Sequence, residues 1–491
     1  MILSPDFSTF SRLARKGNLI AVQFSIPADL ETPVSAYLKL AHKEEHSFLL
    51  ESAEQGEKVG RYSFIGLKPS SVISSEAKQS QARKIASSLT VPCNDTILDL
   101  LEKNISKFKL ANPETLPDFC GGYVGFLSYE NVRDFEQVKL QEKPGPKIPQ
   151  SVFFLTREFL VFDHFRKNLS IVILADTGSS ASLKTVYAQT QVKIESYLKK
   201  LSAPLKQTTT ARSSKSRFVS NMKPAQYYAK VNRIKEYIRA GDCIQTVLSQ
   251  RFQIPASGDD FQIYRALRSI NPSPYMFYFR SGDLRLIGSS PELLVKKKGR
   301  MAEVRPIAGT RPRGKNQEDD QHQEENLKRS KKEAAEHLML VDLGRNDLGR
   351  VCEFSTIQVK NFARVERYSH VMHLVSDVEG RLKSGKTAFD LLKATFPAGT
   401  VTGAPKIRAM EIINELEPEK RGPYAGCLGY FSFNQNMDMC ITIRTLVNDG
   451  KKIYLQAGAG IVKDSNPRRE YQETVNKAKA LLKAVEIRND F

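Results

Sequence analysis

The 491-residue chain has no tryptophan, only seven histidines and only six cysteines. Those cysteines (Cys93, Cys120, Cys243, Cys352, Cys427 and Cys440) lie far apart and form no CxxC pair. The spacing excludes a disulfide framework and a cysteine zinc site, and it predicts reduced, mostly buried thiols. No apolar run approaches the roughly 18 residues of a membrane-spanning helix, and the start "MILSPDFSTFSRLARKG" holds no apolar segment of secretory length. A cytoplasmic location with no membrane partner is the expectation. Internal repeats and low-complexity tracts are also missing, which excludes solenoids and linear arrays.

What is present is an ordinary globular composition, 41% hydrophobic, with a length that on its own predicts roughly two to four domains. The formal charge of +20 raises nucleic-acid binding as a rival class. Its distribution argues against that class: basic residues interleave with acids, as in "KNQEDDQHQEENLKRSKKEAAEH", and no nucleic-acid-binding motif occurs. A small anionic substrate suits the same charge, so no nucleic-acid partner is expected.

The clearest shift in composition is "LSAPLKQTTTARSSKSRFVSNMKP", residues 201–224, polar and poor in large apolar side chains. It predicts an N-terminal domain over 1–205, a linker or exposed loop over 206–222 and a second domain over 223–491. Strand patterns occur at "HSFLLESA", "VFFLTREFLVFDH", "NLSIVILAD", "CIQTVLSQRFQI", "YMFYFRSG" and "LRLIGSS". A hairpin is expected between "MDMCITIRTLV" and "KKIYLQAG" about the turn "NDG". Helical spacing marks "ASLKTVYAQTQVKIESYLKKL" and "PAQYYAKVNRIKEYIRAGD", the second stopping at Gly241. The predicted class is α+β, two domains with mostly antiparallel sheets.

Four constellations carry chemistry. In "KKEAAEHLMLVDLGRND", Glu333 and Glu336 stand three apart, which puts both carboxylates on one helix face. "PRREYQETVNKAKALL" repeats this with Glu470 and Glu473, and Lys477 follows one turn on. Oxygen ligands without cysteine or paired histidine suit a hard ion such as Mg²⁺; acids near a helix N-terminus, with Pro467 opening the helix, are the plainer reading. In "YSHVMHLVSDVEG", strand alternation puts His373 with Val371 and Val375 and leaves His370 on the other face. His373 is a candidate general base or a satisfied core histidine. "AGT" (398–400), "TGAPK" (402–406) and "AGAG" (457–460) are small enough to let an anion reach main-chain N–H groups, though tight turns use the same residues. "YAGCLGY" is superficially similar to the cysteine nucleophile turn of glutamine amidotransferases. A tyrosine follows Gly429 and no accompanying histidine–glutamate signature is evident, so Cys427 reads as structural.

The order and joint presence of these segments is more specific than any one: "SSPELL", "RPIAGT", "EHLMLVDLGRNDLGRV", "HVMHLVS", "FPAGTVTGAPK", "GPYAGCLGY", "CITIRT" and "QAGAGIVKDSNPRREYQETVNKA". Taken together the chain resembles the chorismate-utilising enzymes, component I of anthranilate synthase among them, over nearly its whole length. The resemblance implies two sheets packed face to face with outer helices and a cleft for chorismate and Mg²⁺. It implies that Glu336 and Glu473 hold the ion, assisted through water by Glu333 and Glu470. Arg444 and Tyr424, with the N–H groups of Gly458, Ala459 and Gly460, match the residues that hold the enolpyruvyl carboxylate. Gly309, Thr310 and Thr400 complete the cradle, and Lys477 belongs to the same substrate-binding set. Glu292 matches the acid that protonates the departing 4-hydroxyl, and His373 the group of the pyruvate-eliminating half.

The implied product is anthranilate with pyruvate, from chorismate and ammonia. Gln245 stands where isochorismate-forming relatives place a water-activating lysine, and Ala308 where aminodeoxychorismate synthases commonly carry a nucleophilic lysine. Those two positions favour anthranilate over the competing reading, component I of aminodeoxychorismate synthase. The resemblance also implies a tryptophan feedback site at Ser52, Pro274, Tyr275 and Met276, carried by "LLES", "RYSFIG" and "NPSPYMFY". No amidotransferase domain accompanies these motifs, so a glutamine amidotransferase subunit, and hence a hetero-oligomer, is expected.

Overall fold

The computed structural model describes residues 2–52, 60–75, 95–178, 180–205, 218–368 and 371–488. Local signals set several elements as read. The Pro224–Ala240 helix ends on Gly241, whose φ of 84° is the left-handed stop that glycine adopts without a Cβ penalty. The Leu183–Leu201 helix opens on Ser182, whose hydroxyl accepts the Thr185 N–H. Five of the cysteines, Cys120, Cys243, Cys352, Cys427 and Cys440, are buried free thiols. Burial pushes Cys427 up to about 12, in keeping with a structural residue.

The described strands form one 12-stranded and one 10-stranded sheet, and every ladder between named strands is antiparallel. The sheets pack face to face through aromatic residues: Phe279 of the larger stacks on Phe154 of the smaller at 4.4 Å and meets Phe126 edge-on at 5.9 Å. The other face of the larger sheet is covered by helices carrying Tyr37, Ile194, Phe261 and Leu481, all fully or almost fully buried. On the smaller sheet, Phe389 of the Ala388–Thr395 helix stacks on Phe431 at 4.2 Å. These layers are the α+β architecture expected from the pattern of elements.

Three apolar runs change sheets part-way. "VFFLTREFLVFDH" reads as one strand, yet Ser151–Thr156 belongs to the smaller sheet and Glu158–Asp163 to the larger. "MDMCITIRTLV" likewise divides into Met437–Ile441 in the smaller and Thr445–Asn448 in the larger. Only the second piece forms the expected hairpin, pairing with Lys452–Ile461. Leu284–Ser290 of the larger sheet continues through Pro291 and Glu292 into Leu293–Lys298 of the smaller. Such corners let a continuous chain serve two layers.

The expected division near residue 205 does not divide the sheets. His46–Glu51 pairs with Tyr275–Ser281, matching Glu51 to Met276, and Gly122–Leu127 pairs with Cys427–Ser432. Of the expected linker 206–222, residues 206–217 lie outside the described residues, and Val219–Ser220 forms a short strand on Phe252–Gln253.

Candidate active site

Two of the sheet crossings meet. The Ile441 N–H donates to the Glu292 carbonyl at 3.0 Å, and the Ser289 N–H to the Arg444 carbonyl at 3.1 Å. The corner residues Glu292 and Arg444 stand between strands, outside either ladder. Glu292 is 8% exposed, and burial raises its carboxyl to about 7, with the Lys477 charge a smaller opposing influence. It lines a narrow cavity of about 40 Å³ with Gly399 and Thr400. Arg444 sits at φ 50°, and burial lowers its pKa, with Glu473 nearby in partial opposition. Arg444, Glu473 and Lys477 line an open cavity of about 420 Å³. Lys477 reaches Glu473 at 2.7 Å and donates to the Gly458 carbonyl at 3.0 Å.

The glycines expected to face substrate adjoin the polar side chains expected there. Gly458 and Gly460 lie opposite Ser249 and Val247 on adjacent strands, with Ala459 between them opposite Leu248. A Cβ at Gly458 would stand 2.8 Å from the Tyr424 hydroxyl, and one at Gly460 would stand 2.6 Å from Gln245 Nε2. Gln245 is buried, its Oε1 has no hydrogen-bond partner, and its Nε2 points to Glu336 Oε1 at 3.5 Å. Burial raises Tyr424 to about 12, so its hydroxyl stays a proton donor.

Gly309 forms a β-bulge: Ala308 pairs with Leu374, Thr310 with His373, and Gly309 takes φ 63° between them. The bulge aims its carbonyl at His373 Nδ1, 2.9 Å away, with Thr310 Oγ1 at 3.1 Å. A carbonyl can only accept, so Nδ1 carries the proton and Nε2 is left as the basic nitrogen of the neutral ring. Burial lowers the His373 pKa, which keeps that ring neutral near pH 7. Ala308 is buried opposite Leu374 but is not part of the apolar cluster that Leu374 forms with Leu327 and Met372. His370 lies outside the described residues.

Glu333 and Glu336 stand on the Lys331–Gly349 helix, Glu470 and Glu473 on Pro467–Glu486. Among the described residues no three of His, Cys, Asp and Glu are already gathered as a metal-ligand group. The carboxylates nonetheless feel one another: burial raises the Glu336 pKa, with Glu333 and then Glu473 adding repulsion. Glu470 is raised by burial and by Glu473. Three of them, Glu333, Glu336 and Glu470, are partly buried and Glu473 is exposed; oxygen-only and close enough to repel, the four fit a hard divalent cation, which needs only a few carboxylates plus water and substrate. Arg311, in "RPIAGTRPRG", reaches Glu333 at 3.3 Å, whereas Arg313 pairs with Asp320 and Arg305 with Asp377 and Glu366. Only the fold shows that one of these three arginines touches the acidic group.

Ser52, Pro274, Tyr275 and Met276 come together around a separate cavity of about 760 Å³, beside Glu51 and Arg61. The Ser52 hydroxyl is buried without a partner, and Tyr275 donates to Asp438 at 3.1 Å. Sequence reasoning missed the buried Glu417–Arg421 pair, which lies just upstream of the "GPYAGCLGY" motif.

A family profile described as chorismate binding enzyme matches residues 45–483. The chain belongs to the chorismate-binding enzyme family. Two of its relatives named anthranilate synthase component 1, from Synechocystis sp. and Aquifex aeolicus, are each 44% identical and cover 99% of this chain and of their own. The crystal structure of anthranilate synthase component I from Streptococcus pneumoniae TIGR4 superposes with a TM-score of 0.74 at 37% identity, over 93% of this chain and 99% of that one. The menaquinone-specific isochorismate synthase of Escherichia coli shares the fold at 20% identity, with a TM-score of 0.73 over 97% and 99% of the two chains. Membership in the chorismate-binding family agrees with the resemblance read from the motifs. Among the described residues no helix is long and apolar enough to cross a membrane.

Proposed function

We propose that this chain is component 1 of an anthranilate synthase, converting chorismate and ammonia to anthranilate and pyruvate. The observation that carries this reading is Gln245, buried against Gly460 and Glu336 where water-adding relatives place a lysine. An amide cannot take a proton from water, which disfavours water and favours ammonia as the nucleophile. Ala308 offers no amine for covalent attack, which disfavours aminodeoxychorismate synthesis.

Glu336 and Glu473, with Glu333 and Glu470 through water, would hold Mg²⁺ beside the ring carboxylate. When bound, the ion supplies Lewis-acid charge withdrawal there. Arg444, the Tyr424 hydroxyl and the N–H groups of Gly458, Ala459 and Gly460 bind the enolpyruvyl carboxylate, with Lys477 completing the positive field. Gly309, Thr310 and Thr400 close the cradle. In the first half, ammonia adds to the ring while Glu292, whose raised pKa lets it hold a proton near neutral pH, gives that proton to the 4-hydroxyl, which leaves as water. In the second, His373 Nε2 takes the ring proton at the aminated carbon, the ring bond to the enolpyruvyl oxygen breaks with its electrons going to that oxygen, and the released enolate takes up a proton at its methylene carbon to leave as pyruvate beside the aromatic product. A separate glutamine amidotransferase subunit supplies ammonia in the cytoplasmic hetero-oligomer.

Tryptophan occupies the Ser52–Pro274–Tyr275–Met276 cavity and restrains this chemistry. Its size lies within the range of about 300–1,000 Å³ typical of small-molecule sites. The strand Met437–Ile441 connects the two places: Asp438 and Cys440 line the cavity, and Ile441 bonds Glu292. Incubating the purified chain with chorismate, Mg²⁺ and ammonium, and identifying the product by mass and fluorescence, tests the proposal. Anthranilate is expected; isochorismate or aminodeoxychorismate as the product overturns it.

A further inference from the structure

The side chains of Glu417 and Arg421 are only 4% and 1% exposed. They form a two-pronged ion pair, Arg421 Nη2 to Glu417 Oε1 at 2.7 Å and Nε to Oε2 at 2.9 Å. The remaining bonds go to different segments. Arg421 donates to the Val401 carbonyl at 2.7 Å, next to Thr400, and to the Val247 carbonyl at 2.9 Å, on the residue paired with Gly460. Glu417 accepts the Ser249 N–H at 2.8 Å and its hydroxyl at 2.7 Å, on the residue paired with Gly458. The guanidinium also lies over two rings, 4.7 Å from the centre of Tyr129 and 5.5 Å from that of Tyr424.

A buried ion pair is a poor stabiliser compared with apolar side chains of the same volume, because both charges lose their hydration. Net stability is therefore weak grounds for this one. Its geometry gives stronger grounds: one rigid planar fork touches three of the segments that present polar groups to the proposed chorismate cleft. We infer that Glu417 and Arg421 are positioning residues, which fix the Tyr424 ring, the Gly458–Gly460 backbone and the Gly399–Thr400 turn relative to one another without touching substrate. The inference builds on the proposed function. A displacement of about 1 Å in such a frame costs on the order of a hundredfold in rate.

The test uses the full chain with ammonia. Arg421→Met and Glu417→Gln should each lower kcat/KM for chorismate about a hundredfold at temperatures well below their melting points. Arg421→Lys, a milder change that keeps the charge without the fork, should fall between them and the native chain. In the double variant Arg421→Met/Glu417→Leu, melting temperature should recover while kcat/KM does not, a split that a merely structural pair would not produce. In chain labelled with 3-fluorotyrosine, the Tyr424 fluorine resonance, assigned by Tyr424→Phe, should shift or broaden in each single variant. A double variant with native kinetics, or an unmoved Tyr424 resonance in the singles, overturns the inference. If the native chain makes no anthranilate, the proposed function falls, and the Tyr424 resonance alone still decides the positioning role.

Discussion

Replacing Glu292 by glutamine should raise stability above neutral pH while depressing turnover, with a pH dependence that the burial of this carboxyl dictates. Its folded pKa is raised from 4.5 to about 7, chiefly by burial. Below pH 4.5 the group is protonated whether the chain is folded or not, and the raised value has no effect. As pH rises from 4.5 to 7 the unfolded chain releases this proton and the folded chain keeps it, so stability falls through that window and levels off above it. Moving the carboxyl from 4.5 to about 7 corresponds to about 3 kcal/mol. Glutamine carries no proton to lose and so escapes this cost. Glu292→Gln should therefore melt close to the native chain at pH 5 and clearly above it at pH 8.5. Turnover should fall by about 10² to 10⁴, the usual worth of one proton transfer. In the native chain kcat/KM should decline as pH rises through about 7, because the proposed proton donation requires the protonated carboxyl. Scanning calorimetry at the two pH values and a pH–rate profile with ammonia held in excess provide the measurements. Equal melting differences at both pH values would refute the burial argument, and native turnover in the variant would remove Glu292 from proton donation.

Gly458→Ala should push the Tyr424 hydroxyl, 2.8 Å from the new methyl, out of place; an overpacking cost of about 1–3 kcal/mol predicts roughly a tenfold or greater rise in chorismate KM. Adding Tyr424→Phe should give a double variant whose loss is smaller than the sum of the two, read from a kinetic cycle. His373→Ala should slow pyruvate elimination more than amination, so mass spectrometry should detect an aminated intermediate that still bears the enolpyruvyl group. Glu336→Gln should raise the Mg²⁺ concentration for half-maximal activity at least tenfold, followed by titration, since it removes one charge from a small oxygen-ligand set. Ser52→Phe fills part of the larger cavity and removes its unpaired hydroxyl, so half-inhibition by tryptophan should need about ten times more ligand while uninhibited turnover is kept.

The parts of this molecule that were legible in its sequence are those set by neighbours along the chain. Gly241 stopped a helix where its conformational freedom predicted, and the three-residue spacing of Glu333–Glu336 and Glu470–Glu473 put each pair on a helix as expected. "VFFLTREFLVFDH" and "MDMCITIRTLV" were misleading because alternation reports that a segment is extended and half-buried but not which sheet it joins. That choice depends on partners hundreds of residues away, as when Cys427–Ser432 takes Gly122–Leu127 for a neighbour. The roles assigned to Tyr424 and Arg444 came from family resemblance, since neither residue stands out by spacing. Arg421 is one of the chain's 74 basic residues, and nothing local sets it apart from an exposed one. Its near-complete burial is a property of the fold alone.

The crossings between sheets bear on how such a protein changes over time. Glu292 and Arg444 occupy corners where the chain has left one ladder and not yet joined the next. A substitution at such a corner alters what the cleft offers a substrate without altering any strand register. Folding and reactivity can thus drift under separate selection, which gives a physical basis for a shared frame at 20% identity with a protein named for a different reaction. A laboratory lineage starting from this chain should accumulate its activity-changing mutations at the corners and at small residues such as Gly458 and Gly460, and its stabilising ones in the ladders between them.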